Sequence, residues 1–335
     1  MIKNVFIFGA GSIGNHYAFA SRSLGLNVSV CDLNSDALKR MMSDIYPTRY
    51  GSWDESIVLK NNFSEITFNN EDIVLIGTPP ESRLSILKEV LKNGCKHVLL
   101  EKPFGIPNDD IEAVLKEYEE VNFYSGYNHV VSLSFQSFLK DIQSYGMDGL
   151  EKIKVRWCEP WDGIMGAHFW LDSVFDTYLG YSSRGGGAMS EHSHGLNLGL
   201  FLLNHFDIFK QLSKVDFIKD ETSNYDQVFE LTAEGKSGVI LDVRQDTVAK
   251  ETIKSVSLEF YNGEAKIIFG SESDEYLISS GTKSVQSSHA KTRPDDFITQ
   301  LQEIMANTDI TKASFQAGVL THRLISDSWQ SFNQD

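Results

Sequence analysis

Between an apolar run at residues 5–8 and a helix-like stretch at 16–24 the chain reads Gly9-Ala10-Gly11-Ser12-Ile13-Gly14. Three glycines in the spacing G-x-G-x-x-G restrict the fold more than any other feature of the sequence. The first permits a tight turn out of a strand, the second lets backbone approach a ligand, and the third lets helix and strand pack closely. The pattern by itself also occurs in ordinary turns. Its meaning comes from context, and here it leaves a strand and opens a helix. The first turn of such a helix offers free N–H groups and a partial positive charge, which suit a phosphate. Gly9, Gly11, Ser12, Ile13 and Gly14 are therefore candidate phosphate-cradling residues. Asp32 closes the next strand-like run, 28–31, at the offset where a carboxylate accepts hydrogen bonds from ribose hydroxyls. A carboxylate there repels a 2′-phosphate, so turn and acid together predict NAD as the cofactor, with NADP less favoured.

The following ~90 residues keep alternating strand and helix patterns. Helices are expected at 35–42, 82–92 and 109–120, and strands at 73–76, 97–100 and 123–125. Repeated strand–helix–strand units imply a parallel sheet covered on both faces. After about residue 125 the grammar changes. A helix at 132–144, a strand at 152–157, an aromatic loop at 159–184 and an apolar helix at 196–206 precede strand-like stretches at 228–232, 238–243, 256–261 and 265–269. Strands in succession without helices between them imply an antiparallel sheet. Helices at 297–306 and 314–328 end the reading. The expected fold class is α/β: a Rossmann dinucleotide-binding domain at 1–122, then an α+β domain at 123–335 with an open, predominantly antiparallel sheet. The C-terminal helices have the option of packing back on the first domain.

A length of 335 residues suits about two domains. With 41% hydrophobic and 23% charged residues the composition is ordinarily globular. The formal charge of −16 repels phosphate backbones, so no nucleic-acid partner is expected. Cys31, Cys95 and Cys158 are odd in number and far apart, which suggests buried thiols, with neither a disulfide framework nor a metal site. No stretch reaches the ~20 apolar residues of a membrane span. The first residues enter a strand-like run with no charged n-region and apolar h-region, so a reducing cytoplasm is the expected location.

Further motifs follow in a fixed order: Gly77-Thr78-Pro79-Pro80-Glu81, Glu101-Lys102-Pro103-Phe104-Gly105, Gly126-Tyr127-Asn128, and GGGAMSEHSHGLN at 185–197. With the glycine turn, this order resembles the glucose–fructose oxidoreductase / inositol dehydrogenase (Gfo/Idh/MocA) family over nearly the whole chain, Glu-Lys-Pro being the most specific sign. The resemblance implies a nicotinamide cofactor, an active site between two domains, and sugar, cyclitol or nucleotide-sugar substrates. It also implies a second domain that binds substrate and forms a homodimer or homotetramer through the open face of its sheet.

By the same resemblance Thr78 and Pro79 line the nicotinamide ribose, Glu101 serves the ribose side, and Lys102 is the active-site lysine, with Pro103 after a cis peptide aiming it. Beside NAD⁺ and partly desolvated, a lysine sheds its proton readily and can act as acid or base. Asn128 matches an asparagine near the nicotinamide amide or substrate, a turn-forming Asn being the competing reading. Glu191 takes an acid position and His194 a histidine position, three apart and on one face if they share a helix. Glu stands here where relatives carry Asp, and Asn197 where many carry Asp. His192 reads as a core histidine.

The aromatic loop holds Trp157, Trp161, Trp170, Tyr178, Tyr181 and Arg184. Aromatic faces suit the C–H faces of sugars, and Arg184 suits a carboxylate or phosphate; Trp161, Tyr181 and Arg184, with Lys102, Asn128 and His194, are the substrate-binding candidates. Packing of the domain is the competing reading for each aromatic.

The implied reaction moves a hydride between cofactor and carbinol while Lys102 or His194 takes the hydroxyl proton and the other hydrogen-bonds the oxygen. The arrangement also resembles members acting on surface-polysaccharide sugars. Two alternatives share the motifs: an NAD-dependent glycosidase or lyase that recycles its own cofactor, and a non-catalytic dinucleotide-binding regulator.

Overall fold

A computed structural model describes residues 2–62, 66–208, 212–221 and 224–332. The chain divides into two units, residues 1–128 with 294–315, and 129–293 with 316–335.

The first unit opens with β1 (Asn4–Phe8), α1 (Ser12–Ser23) and β2 (Asn27–Cys31). The expected helix at 35–42 is instead α2 (Ser35–Arg40), a π-helical turn at Met41–Ile45 and α3 (Tyr46–Tyr50). Asn34 caps α2 by accepting from Asp36 N–H, and Pro47, compatible only with an early helical position, opens α3. A short edge strand that periodicity does not reveal, β3 (Val58–Lys60), follows. Then come β4 (Asp72–Ile76), α4 (Pro80–Lys92), β5 (His97–Leu100), α5 (Ile111–Glu117) and β6 (Asn122–Ser125). The six strands pair in parallel in the order β3-β2-β1-β4-β5-β6. The strand order therefore reverses between β1 and β4, and the carboxyl ends there form the crevice in which open α/β sheets take ligands. All five residues of β4 are buried, as expected of a strand covered on both faces.

The second unit begins with a 3₁₀ turn from Asn128 and α6 (Leu133–Ser144), capped by Ser132 accepting from Phe135 N–H. It continues through β7 (Leu150–Cys158), α7 (Trp161–Gly166), three 3₁₀ turns ending at Arg184, α8 (Gly187–Glu191) and α9 (His194–His205). Seven strands follow: β8 (Ser213–Glu221), β9 (Asp226–Glu234), β10 (Ile240–Asp246), β11 (Ile253–Phe260), β12 (Gly263–Phe269), β13 (Ser273–Ser280) and β14 (Lys283–Ala290). The sheet runs β14-β13-β12-β11-β7-β10-β9-β8, antiparallel except where β10 lies parallel to β7. Helix α9 covers β7, β10 and β11, and α6 covers β12 to β14. The apolar rows Ile153, Val155, Leu241, Val243, Val256, Leu258, Ala265 and Ile267 are buried, while intervening residues such as Lys266 and Ile268 are exposed, the period of two of a sheet covered on one face. The open face carries Arg156 paired with Asp242, and Arg244 paired with Glu230.

Helices α10 (Asp295–Ala306) and α11 (Asp309–Phe332) follow. Helix α10 lies against α1 in the first unit, where Phe297, Leu301 and Ile304 join its core.

Candidate active site

The glycine turn connects β1 to α1. Gly9 has φ +108°, in the region that disfavours side chains, and a methyl group there would press on Gly77 and Thr78 backbone at 3.0 Å. A methyl group at Gly14 would collide with the carbonyl oxygen of Gly9. At Gly11 a methyl group would meet nothing within 4 Å. The turn is thus closed against the protein at its first and third glycines and open at its second, as a backbone cradle for pyrophosphate requires. Gly11 is also the N-cap of α1 and brings no capping side chain, so the first-turn N–H groups remain available to an anion.

Asp32 sits just beyond β2 and is tied to this turn. Its Oδ2 accepts from Ala10 N–H at 2.9 Å and its Oδ1 from Asn34 N–H at 2.9 Å. Ser12 is gripped by Arg49, whose Nη1 donates to Ser12 O and Nη2 to Ser12 Oγ, both at 2.9 Å. Thr78 and Pro79 lie in the turn between β4 and α4. Thr78 Oγ1 is buried and has no partner among the described residues, a polar atom that a ligand hydroxyl or amide would satisfy. Open backbone at Gly11, the Asp32 carboxylate and the orphaned Thr78 hydroxyl together fit a dinucleotide laid across the strand ends.

Lys102 follows β5, and the Lys102–Pro103 peptide is cis. The loop is held from beneath by Arg83, which is 3% exposed. Its Nε donates to Thr78 O at 2.7 Å and its Nη1 to Glu101 O at 2.7 Å and to Pro103 O. One buried guanidinium therefore joins the Thr78 turn to the Lys102 loop, and nothing in the sequence motifs singles it out. Glu101 is turned inward at 2% exposure, where its Oε1 bonds Tyr17 Oη at 2.9 Å and its Oε2 accepts from Lys102 N–H at 3.0 Å. Asn128 is nearly buried, in a turn closed by its N–H to Gly126 O at 2.9 Å.

In the second unit Glu191 ends α8 and His194 begins α9, so the two do not share the helix that their three-residue spacing supposed. The break is stabilised locally: Ser193 Oγ donates to Ser190 O at 2.7 Å, an alternative to helical pairing. Gln245 on β10 splints it, its Nε2 donating to Ala188 O and Met189 O while its Oε1 accepts from Leu196 N–H. Asp226, fully buried at the start of β9, accepts from Met189 N–H and Ser182 Oγ, both at 2.6 Å. Burial pushes the Asp226 carboxyl up to about 6, against the opposing pull of those two donors. Sequence patterns flag neither Asp226 nor Gln245, because each acts on residues more than thirty positions away.

His194 lies edge-on to His129, with ring centroids 4.8 Å apart, and against Trp157, which is core. Glu191 Oε2 accepts from Tyr178 Oη at 3.1 Å. His192 is buried and bonded to Glu159 O at 3.0 Å. Trp161 packs with Ile164, Val174 and Leu179 and against the rings of His192 and Tyr225, and its buried Nε1 has no partner among the described residues. Arg184 lies over the ring of Tyr181 at 5.4 Å. Trp170 contacts His168 and Phe169. The three cysteines are buried free thiols, and burial pushes Cys31 and Cys95 up to about 11 and Cys158 to about 12.

Among the described residues no helix is long and apolar enough to cross a membrane. Residues 3–128 match the model of an oxidoreductase family with an NAD-binding Rossmann fold, GFO_IDH_MocA. No curated protein matched the chain in sequence. Solved structures share its fold along nearly the whole length. The UDP-N-acetylglucosamine 3-dehydrogenase GnnA from Acidithiobacillus ferrooxidans is 14% identical, covers 98% of this chain and 96% of its own, and superposes with a TM-score of 0.67. The aldose-aldose oxidoreductase from Caulobacter crescentus, complexed with glycerol, is 14% identical with coverages of 98% and 97% and a TM-score of 0.74. KijD10, a 3-ketoreductase from Actinomadura kijaniata in complex with NADP and TDP-benzene, is 12% identical with coverages of 97% and 96% and a TM-score of 0.68. Residues 3–128 thus match the NAD-binding Rossmann domain of the Gfo/Idh/MocA family of oxidoreductases.

Proposed function

We propose that the protein is an NAD-dependent dehydrogenase or reductase acting on a carbinol or carbonyl of a sugar, cyclitol or nucleotide sugar. The observation that carries this reading is the joining, by Arg83, of the Thr78 turn and the Lys102 loop at the carboxyl ends of neighbouring strands. That arrangement supports the assignment of the Lys102 amine to the reacting end of a dinucleotide cradle. Substrate class is supported by the solved structures of similar fold, which include a UDP-N-acetylglucosamine 3-dehydrogenase and an aldose-aldose oxidoreductase.

NAD, when bound, supplies the hydride acceptor or donor. The chain supplies everything else. Gly11 and the first turn of α1 receive the pyrophosphate. The Asp32 carboxylate, oriented by Ala10 and Asn34, receives the ribose hydroxyls and disfavours NADP. Thr78 and Asn128 serve the nicotinamide end. Lys102 exchanges the proton of the reacting hydroxyl through Nζ. His194 and Glu191 are assigned to the polar groups of the substrate, and Tyr181 with Arg184 to a neighbouring ring or anionic group. The open face of the second sheet is assigned to a homodimer or homotetramer, which light scattering would reveal.

The test is a thermal-shift screen of nucleotide sugars and free polyols with NAD or NADH, followed by turnover of the best ligand by Lys102→Met. The variant is expected to lose about 10²–10⁴-fold in turnover while keeping its NAD affinity. Net NADH formation by the wild type marks a dehydrogenase. Turnover without net NADH would replace this reading with a cofactor-recycling one, and near-normal turnover by Lys102→Met would remove the lysine from it.

A further inference from the structure

Beneath the Lys102 loop, four side or main chains of the first unit meet in a line with no exposed member. Gln300 on α10 donates from Nε2 to Ser125 O at 2.7 Å. A carbonyl oxygen only accepts, so this bond fixes the amide: Oε1 is the atom that faces Tyr17. Tyr17 Oη lies 2.7 Å from that Oε1 and 2.9 Å from Glu101 Oε1. A phenol has one proton, and Gln300 Oε1 cannot donate. If Glu101 were a carboxylate, two acceptors would compete for one hydrogen, and one buried oxygen pair would face each other at hydrogen-bond distance with nothing between them.

We infer that Glu101 carries a proton, so that a relay runs from Glu101 Oε1–H to Tyr17 Oη–H to Gln300 Oε1 and every oxygen in the line is satisfied. Glu101 Oε2 remains the acceptor of Lys102 N–H, which holds the loop together with the Arg83 contacts. The groups facing Glu101 are Tyr17 on α1, Arg83 on α4 and its own neighbour Lys102. Arg83 Nε and Nη1 are already taken by three main-chain carbonyls, which temper its demand for a carboxylate. Burial pushes the Glu101 carboxyl upward, and Arg83, Tyr17 and Lys102 pull it back only in part. Burial alone pushes Tyr17 above the phenol range, so Tyr17 keeps its own proton.

Glu101 and Tyr17 are therefore positioning residues for Lys102. A neutral Glu101 orients the lysine's peptide without placing a negative charge one residue from its ammonium, where it would hold the proton that Lys102 has to exchange. This consequence rests on the reading of Lys102 as the proton-transfer group; the proton on Glu101 does not.

The test uses the full chain with NAD⁺ bound and the side-chain carboxyl carbon of glutamate labelled with ¹³C. At pH 7.5 one glutamate resonance is expected at the carboxylic-acid position, absent from Glu101→Gln. In Gln300→Leu the phenol loses its acceptor, turns its proton to Glu101, and the resonance is expected to move to the carboxylate position. A wild-type spectrum holding only carboxylates overturns the inference. So does an acid resonance that Gln300→Leu leaves in place, which also decides the matter should Glu101→Gln fail to fold. No outcome depends on turnover, so failure of the proposed activity and failure of the relay are separately visible.

Discussion

In the first unit the groups proposed to meet a ligand sit on special main-chain conformations: the N–H groups of the α1 first turn, open backbone at Gly11, and the Thr78 and Lys102 loops that Arg83 grips through three carbonyl oxygens. In the second unit the groups proposed for substrate are the side chains of Glu191 and His194, on two helices that strands β9 and β10 hold in place through Asp226 and Gln245. Main-chain sites depend on a few local backbone conformations, and those demand particular residues at fixed spacing. Side-chain sites depend on supports that any distant strand can provide. The first kind of site tolerates little change in its motif. The second can change its contacts while its framework stays, which suits the role proposed for the second domain in binding substrate.

If that contrast is right, Arg83 matters more than its obscurity in the sequence suggests. Replacing it with Met leaves three buried carbonyls short of donors, so unfolding in urea is expected to show a loss of roughly 3 kcal/mol. NAD affinity should fall with it, since both loops proposed to meet the nicotinamide end are released together. Stability within about 0.5 kcal/mol of the wild type would show that the loops hold themselves.

Asp226→Asn probes the second unit by pH. The folded protein raises the Asp226 carboxyl to about 6, so the folded state binds its proton more tightly than the unfolded chain. The associated stabilisation is complete below the ordinary carboxylate range and is lost as pH rises through about 6. Its size is on the order of 1–3 kcal/mol. Denaturation across that window should show the wild type losing this component and the Asn variant lacking it, with Met189 N–H still satisfied by the amide oxygen. Equal pH dependence in the two proteins would mean that Asp226 is not the group that titrates.

The division between the units also explains what could be read in advance. The glycine turn was legible because it encodes a local conformation, whereas Asp32 was read from its offset and the Glu-Lys-Pro loop from a family resemblance. The antiparallel character of the second sheet was legible because its strands succeed one another without helices between them. Its last strand was not: β14 carries Ser284, Gln286, Ser287, Ser288 and His289, with no apolar period to detect. The break between Glu191 and His194 escaped because spacing alone cannot distinguish one helix from two held by a glutamine more than fifty residues away. Tyr17, Arg83 and Gln300 escaped for the same reason, since their partners are defined by the fold.

The smallest expected effect concerns Arg49, and it separates two ways of supporting a main-chain site. Its guanidinium binds Ser12 at both O and Oγ and borders His16 Nε2 at 3.4 Å; His16 in turn bonds Tyr50 and stacks on Phe297 at 4.8 Å. In this arrangement Arg49 shapes the glycine turn from behind. Arg49→Gln should then weaken NAD by about 2- to 5-fold, the worth of one hydrogen bond, with little dependence on salt. A guanidinium that itself touched the pyrophosphate would be a charge-assisted contact, and its loss would exceed about 10-fold and shrink in high salt. Titrating NADH fluorescence at two ionic strengths distinguishes these cases. A small, salt-independent loss keeps the first unit a main-chain site; a large, screened one makes Arg49 a ligand residue and narrows the contrast between the two units.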